Sequence, residues 1–228
     1  SVHIVIRKFQ PSDHEAVRAL FRDGLQEHIN PSFAHAISQP FNITLTLCCF
    51  AVGYLLGGES VSLALLAGGS WIGLVYISCY KLYAGFVRIR LRTDMQDIPR
   101  FYLSNPDSCF WVAEAEVSGR PQVVGMVAVE AKKLPDSKKK YGELFRMIVS
   151  STARQMGLGL RLGQTAEDFC KERGFSKIVL DTSSTQTAAV ALYMKMGFKL
   201  VQIHEQAETS WWFLRLARVT ILKMEKIL

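Results

Sequence analysis

The chain has 228 residues, 49% of them hydrophobic and 21% charged, which suits one globular core of about 150 residues plus an additional segment. A net charge of +7 fits nucleic acid, an anionic membrane surface or a polyanionic small molecule, but there is no arginine-rich run with interleaved aromatics and Lys138-Lys139-Lys140 reads as a solvated loop, so nucleic acid is set aside as a partner. The cysteines Cys48, Cys49, Cys79, Cys109 and Cys170 show neither C-x-x-C spacing nor a histidine-rich partner set, so no metal site is expected and a reduced, cytosol-facing protein is the simpler reading.

Residues 3–9 (HIVIRKF) predict a strand, and Pro11-Ser12-Asp13 offers helix-start chemistry ahead of the periodic apolar positions Ala16, Leu20, Phe21 and Leu25. Asn30, Pro31 and Pro40 then break the pattern. The mean hydropathy of +0.15 owes its sign to residues 41–80, where Glu59 is the one residue that would normally be charged. Gly57-Gly58-Glu59-Ser60 predicts a turn between two apolar rods. The first, residues 41–58, reaches roughly 27 Å as a helix, just short of a hydrocarbon core of ~30 Å. The second, residues 60–80, is long enough to span. Neither keeps the polar face of a helical pair packed in a soluble core. The expectation is a hairpin inserted in the lipid bilayer, crossing it or dipping into one leaflet.

Lysine and arginine set its orientation. The turn has none, while Lys81, Arg88, Arg90 and Arg92 follow the second rod and Arg22 precedes the first, so both flanking segments should face the cytosol. The domain organisation expected is 1–40 for the first strand and helix, 41–80 for the hairpin and 81–228 for the remainder of the same domain. Asn42-Ile43-Thr44 is a glycosylation sequon at the membrane boundary and is expected to go unused.

Beyond Arg92, Thr93-Asp94 is read as capping a short helix through Tyr102. Residues 109–117 and 122–132 predict strands joined by a Ser118-Gly119 turn, and 141–150 a further strand. An amphipathic helix over 157–173 stops at Gly174. It is followed by a strand over 177–182, a helix over 187–196, and strands over 199–205 and 218–226.

The segment Val149-Ser150-Ser151-Thr152-Ala153-Arg154-Gln155-Met156-Gly157-Leu158-Gly159 runs from a strand through R-x-x-G-x-G into a helix. Glycines let backbone approach phosphate oxygens closely, unpaired N–H groups and the helix dipole face an anion, and Arg154 adds a charge-assisted bond. About thirty residues on stands Ala189-Val190-Ala191-Leu192-Tyr193-Met194-Lys195-Met196-Gly197-Phe198. This pair of motifs, with Arg7-Lys8-Phe9-Gln10-Pro11-Ser12-Asp13 at the first strand-to-helix junction, resembles the GNAT superfamily of N-acetyltransferases. Ser108-Cys109-Phe110-Trp111-Val112-Ala113-Glu114, Val123-Val124-Gly125-Met126-Val127 and Leu180-Asp181-Thr182, with a hydrophobic insertion after the first helix, look like the camello-like N-acetyltransferases, the group that includes the cysteine-S-conjugate N-acetyltransferase of the endoplasmic reticulum.

The resemblance implies an α/β (α+β) fold with a GNAT-type mixed, mostly antiparallel central sheet, flanked by helices and carrying an inserted hydrophobic helical hairpin. It implies acetyl-CoA as cosubstrate and no metal. Its pyrophosphate would lie on Arg154, Gln155, Met156, Gly157, Leu158 and Gly159, its pantetheine and acetyl group beside Met147, Ile148, Val149 and Gln186. Tyr193 is the candidate acid for the departing sulfur, and Glu143 the candidate base for the acceptor ammonium, with His204 and Glu205 as alternatives. The acceptor implied is a small-molecule amine, the α-amine of an S-substituted cysteine in mercapturate formation, at the endoplasmic reticulum membrane with the catalytic domain facing the cytosol. A protein lysine acetyltransferase and a non-catalytic CoA-binding membrane protein are the alternatives. Trp211, Trp212 and Phe213 with Arg215 or Arg218 supply either an acceptor pocket or a membrane-interface belt with Tyr80 and Tyr83. Two positions depart from the family pattern: Ala153 holds no basic residue, and Gln186 stands where many relatives have Asn.

Overall fold

The structure is a computed structural model that describes residues 3–135, 137–204 and 211–228. Strand β1 (Ile4–Lys8) turns through Pro11–Asp13 into α1 (His14–Gln26). The junction motif has a structural explanation: Arg7 grips Asp13 with two parallel bonds of 2.8 and 2.9 Å, and the Gln10 N–H donates to the same carboxylate at 2.8 Å. Helix α2 (Ile29–Ile37) covers the stretch that the sequence reads as broken. Pro31 falls in its first turn, where the missing N–H has no intrahelical partner to lose, and Pro40 likewise opens α3 (Pro40–Leu56).

The turn at Gly57-Gly58-Glu59 leads to α4 (Val61–Arg92), whose N-cap Ser60 accepts from the Leu63 N–H at 3.3 Å. Glu59 and Gly58 both take positive φ, 68° and 64°. Helix α4 does not end at Tyr80. It runs 32 residues, about 48 Å at 1.5 Å per residue, because Leu82, Tyr83 and Val87 beyond the apolar stretch are buried against the rest of the chain. Among the described residues it is the one unbroken helix long and apolar enough to cross a bilayer, with a mean hydropathy of 1.7 over its most apolar window. The predicted short helix from Thr93 is replaced by a turn and a wide helical turn over Pro99–Leu103, and Thr93 caps the C-terminus of α4 instead. Asn42 is fully buried and its amide donates to the Ala36 carbonyl at 2.7 Å, which closes the sequon to a glycan in the folded chain.

Strands β2 (Cys109–Val117), β3 (Arg120–Lys133), β4 (Lys140–Val149), β5 (Lys177–Ser183), β6 (Lys199–His204) and β7 (Ile221–Ile227) complete a sheet of order β1-β2-β3-β4-β5-β7-β6. Every neighbouring pair is antiparallel except β4 with β5. Helices α5 (Leu158–Glu172) and α6 (Thr187–Lys195) cover one face through Leu158, Leu162, Ala166 and Tyr193, whereas α1 and the end of α4 cover the other through Val17, Phe21 and Val87. Gly174, at φ +69°, terminates α5 as its position requires. Helix α7 (Trp211–Ala217) was not foreseen: the sequence shows two Trp and a Phe in a row with no polar spacing. Its Leu214 and Ala217 pack with Ile29 and Ala36 of α2 and with Val75, Cys79 and Leu82 of α4. Each large aliphatic buried there contributes about 1.5–3 kcal/mol, so the apolar hairpin is seated firmly on the catalytic domain.

Candidate active site

Strands β4 and β5 are in register only at Gly142↔Ile178 and Glu143↔Val179. Beyond Glu143 no further pairs form between them, and a cleft of about 700 Å³ opens, walled by β4, β5, α1, α4 and α6. Tyr193, Glu143, Met147, Ile148, Gln186 and His204, six of the sequence-predicted positions, line it. Val149 and residues 154–159 continue from the strand into the loop and the start of α5, outside the cleft lining. Glu205 lies outside the described residues, as does the Trp211 side chain.

A bulge in β4 shapes this wall. Phe145 faces Ala128 and Ile148 faces Met126, so Arg146 and Met147 together oppose Val127, and Arg146 takes φ +53°. Leu144, Met147 and Val149 pack into the core under α5, while Phe145 and Ile148 pack toward α1 and α4. Without the inserted residue Arg146 would point into the α5 core. Instead its guanidinium lies over the rings of Phe21, Phe86 and Phe145 at 5.4, 5.6 and 5.4 Å. It donates to Asp94 from Nε at 3.0 Å and Nη2 at 2.9 Å, and Tyr102 donates to the same carboxylate oxygen. Arg90 stands on the other Asp94 oxygen at 4.0 Å. Arg146 and Arg90 thus bring two guanidiniums to the α4 side of the cleft, with Asp94 between them and Glu130 in the same pocket.

Carboxylates gather beside these arginines. Glu130 faces Glu143 across β3 and β4, Asp181 follows on β5, and Lys132 donates to Glu130 at 3.0 Å and approaches Glu143 at 4.0 Å. Burial pushes the Glu143 carboxyl above the ordinary glutamate range; Lys132 pulls it back, and Asp181 and Glu130 push it further up. His204 Nε2 lies 3.9 Å from Asp181 Oδ1. Tyr193 is buried with its ring edge-on to Phe198, and burial alone raises its pKa, so the hydroxyl holds its proton at neutral pH. The apolar part of the lining includes Leu82, Phe86 and Val219.

At the far end of β4, Gly157 caps α5 at φ +71°, with open space where a Cβ would stand. Its conformation, not crowding, calls for glycine. Gly159 is different: a Cβ there would meet Leu192 Cδ2 at 3.0 Å. Arg154 is paired with Glu27 at the end of α1. Ala153 is buried in the core, which explains why no basic residue stands there. Gln186 precedes α6 within 3.5 Å of the Thr182 hydroxyl, which donates to its Oε1. The residues expected to hold acetyl-CoA are compatible with that ligand: a glycine loop at the start of α5, with Arg154 beside it on Glu27, contiguous with an open strand edge.

Among the described residues of 211–218, Trp212, Phe213, Arg215 and Arg218 are not in the cleft lining, and Arg218 lies over the Phe41 ring at 4.6 Å. Trp212 and Tyr80 are exposed, but Tyr83 turns inward, donating to or accepting from Ser183 at 3.3 Å. The charged cleft residues that the sequence did not single out are Arg146, Glu130, Lys132 and Asp181, with Asp94 bonded to Arg146. The available signal was Arg146, a charged residue inside the apolar strand ELFRMIV.

A mixed sheet opened between two parallel central strands, with a glycine-arginine loop leading into the next helix, defines the chain as an N-acetyltransferase of the GNAT class. The sequence model described as Acetyltransferase (GNAT) family matches residues 76–198. The chain is 43% identical over 205 residues to N-acetyltransferase family 8 member 3 of Mus musculus, covering 85% of this chain and 84% of that protein. It is 34% identical over 201 residues to the protein named "Probable N-acetyltransferase camello" of Xenopus tropicalis, covering 86% of each. The crystal structure of a GNAT-family acetyltransferase from Staphylococcus aureus Mu50 shares the fold at a TM-score of 0.56 and 15% identity, with 99% of both chains covered. The chain belongs to the GNAT acetyltransferases, and within them to the N-acetyltransferase family 8 and camello group.

Proposed function

We propose that this N-acetyltransferase transfers the acetyl group of acetyl-CoA to the α-amine of S-substituted cysteines, at the endoplasmic reticulum membrane with its catalytic domain in the cytosol. The observation that carries the substrate is the mixed lining of the cleft: the Arg146 guanidinium, the carboxylates of Glu130, Glu143 and Asp181, and apolar side chains such as Leu82, Phe86 and Val219. An S-substituted cysteine has a carboxylate, an ammonium and an apolar sulfur substituent, one for each. Acetylation of protein lysines is the second reading, favoured by the carboxylate rim alone. Turnover with S-benzylcysteine, free aspartate and a lysine peptide tests the choice; a lysine peptide preferred over the S-conjugate rejects the first.

Acetyl-CoA supplies an activated thioester carbonyl. The backbone of Met147 to Val149 holds the pantetheine arm and donates to the carbonyl oxygen. Glu143 removes the ammonium proton directly or through one water, and Tyr193 protonates the leaving sulfur. Because the Glu143 carboxyl is raised, the rate climbs with pH as that group loses its proton, at a midpoint above the ordinary carboxylate range. Glu143→Gln should remove this limb from the pH profile of kcat/KM; an unchanged limb assigns the base elsewhere.

The pyrophosphate sits on the loop from Arg154 to Gly159. Gly157→Val introduces a β-branched residue at φ +71°, a conformation costing at least about 1–2 kcal/mol, and swings the first N–H donors of α5 away. Binding of acetyl-CoA by calorimetry should be lost while the circular dichroism spectrum is kept and the melting temperature falls by only several degrees. Wild-type affinity would reject the loop as the anion site.

The membrane reading rests on α4, its apolar exposed residues and the lysines and arginines beyond it. Protease added to intact microsomes should digest the catalytic domain; protection relieved only by detergent reverses the orientation.

A further inference from the structure

Lys132 is the lysine that lines the cleft. Its ammonium lies between Glu130 at 3.0 Å and Glu143 at 4.0 Å, where the acceptor ammonium has to lie if Glu143 is the base. Its side chain is about one-third exposed and its stem is flexible, so Nζ can move along the rim toward Tyr193 and Met147 on the same cleft. Lys132 therefore has what an acceptor needs: an amine, a base beside it and a path to the thioester. It also carries the positive charge that balances the Glu130 and Glu143 carboxylates.

We propose that Lys132 is a self-acetylation site, modified by the enzyme's own acetyl-CoA when no external amine fills the cleft, and that the modification attenuates transfer to external amines. The inference rests on the roles given above to Glu143 and Tyr193. Glu143 takes one proton from the Lys132 ammonium and passes it to solvent. The Nζ lone pair forms a C–N bond to the acetyl carbon and the C–S bond breaks. The departing thiolate takes the Tyr193 proton, and the second amine proton restores the Tyr193 hydroxyl through water. The products are Nζ-acetyl-lysine, free CoA and one released proton. The amide has no charge, so Glu130 and Glu143 lose their counterion, and its added bulk narrows the rim where an external ammonium would bind.

The test uses the full chain in lipid nanodiscs, incubated with acetyl-CoA without acceptor and mapped by peptide mass spectrometry, with S-benzylcysteine turnover measured on the same sample. Proximity to the thioester should acetylate Lys132 at least about tenfold faster than the exposed Lys138, Lys139 and Lys140. Saturating S-benzylcysteine should suppress the adduct, and Tyr193→Phe should slow it by the same factor as external transfer. Activity should decline during preincubation with acetyl-CoA, and in Lys132→Arg, which keeps the charge, that decline should vanish. An unmodified Lys132 in a sample that turns over S-benzylcysteine overturns the inference alone. So does modification no faster than at Lys138 to Lys140, or undiminished in Tyr193→Phe, because that is chemical background. If neither Lys132 nor any external amine is acetylated, the catalytic reading fails with it.

Discussion

Tyr193→Phe is expected to lower kcat by roughly 10²-fold, the scale of a lost general acid, with little change in the apparent KM for acetyl-CoA. The ring stays against Phe198 and in the α5–α6 core, so packing survives. Only the hydroxyl is removed, and burial keeps that hydroxyl protonated in the wild type, as an acid must be. Single-turnover kinetics under conditions where chemistry limits the rate decide the matter. A wild-type rate makes Tyr193 a core residue and leaves protonation of the thiolate to solvent or to the amine itself.

The second large effect is expected at Arg146. In Arg146→Lys the positive charge remains, but the planar fork that bonds Asp94 while stacking on Phe21, Phe86 and Phe145 is gone. Loss of a hydrogen bond between charged groups at the acceptor carboxylate is worth about 1.5–3 kcal/mol, so KM for the amino-acid acceptor should rise on the order of 10- to 100-fold while affinity for acetyl-CoA is kept. Removal of the charge altogether would strand Asp94 as a buried carboxylate, which confounds stability with binding. The conservative change avoids that. A KM within twofold of wild type, measured with S-benzylcysteine, would dismiss Arg146 as the carboxylate anchor.

These two residues differ in how far the sequence exposes them. Tyr193 stands in a local motif, A-x-x-L-Y-x-K-x-G-F, whose spacing fixes its place on a helix before a glycine turn, and Gly157 and Gly159 are equally local. Arg146 acts through partners 52 residues upstream at Asp94 and more than a hundred upstream at Phe21. Its side of the strand depends on a bulge that no alternation of polar and apolar residues announces. Strands β2 and β4 were legible within a residue or so because their apolar runs are bounded by turn residues. Helix α2 was not, because proline reads as a breaker until its place in the first turn is known. Helix α7 was hidden because three consecutive aromatics carry no period until neighbours select which side is buried.

The sequence by itself determined the membership of the chain in its family, the order of strands and helices from β2 to β6, the glycine-arginine loop, and two apolar rods without charge. All of these are set by local spacing and by interactions between residues close in the chain. Tertiary structure alone decided that α4 runs on past the apolar segment to form a wall of the cleft, and that Glu130, Lys132, Glu143 and Asp181 meet at one rim. It also decided that Arg146 lines the cleft, whereas Arg215 and Arg218 are not among its described lining residues. The physical reason is range: side-chain proximity across a sheet is fixed by register and by the divergence of β4 from β5, which arise only when strands distant in sequence pack together.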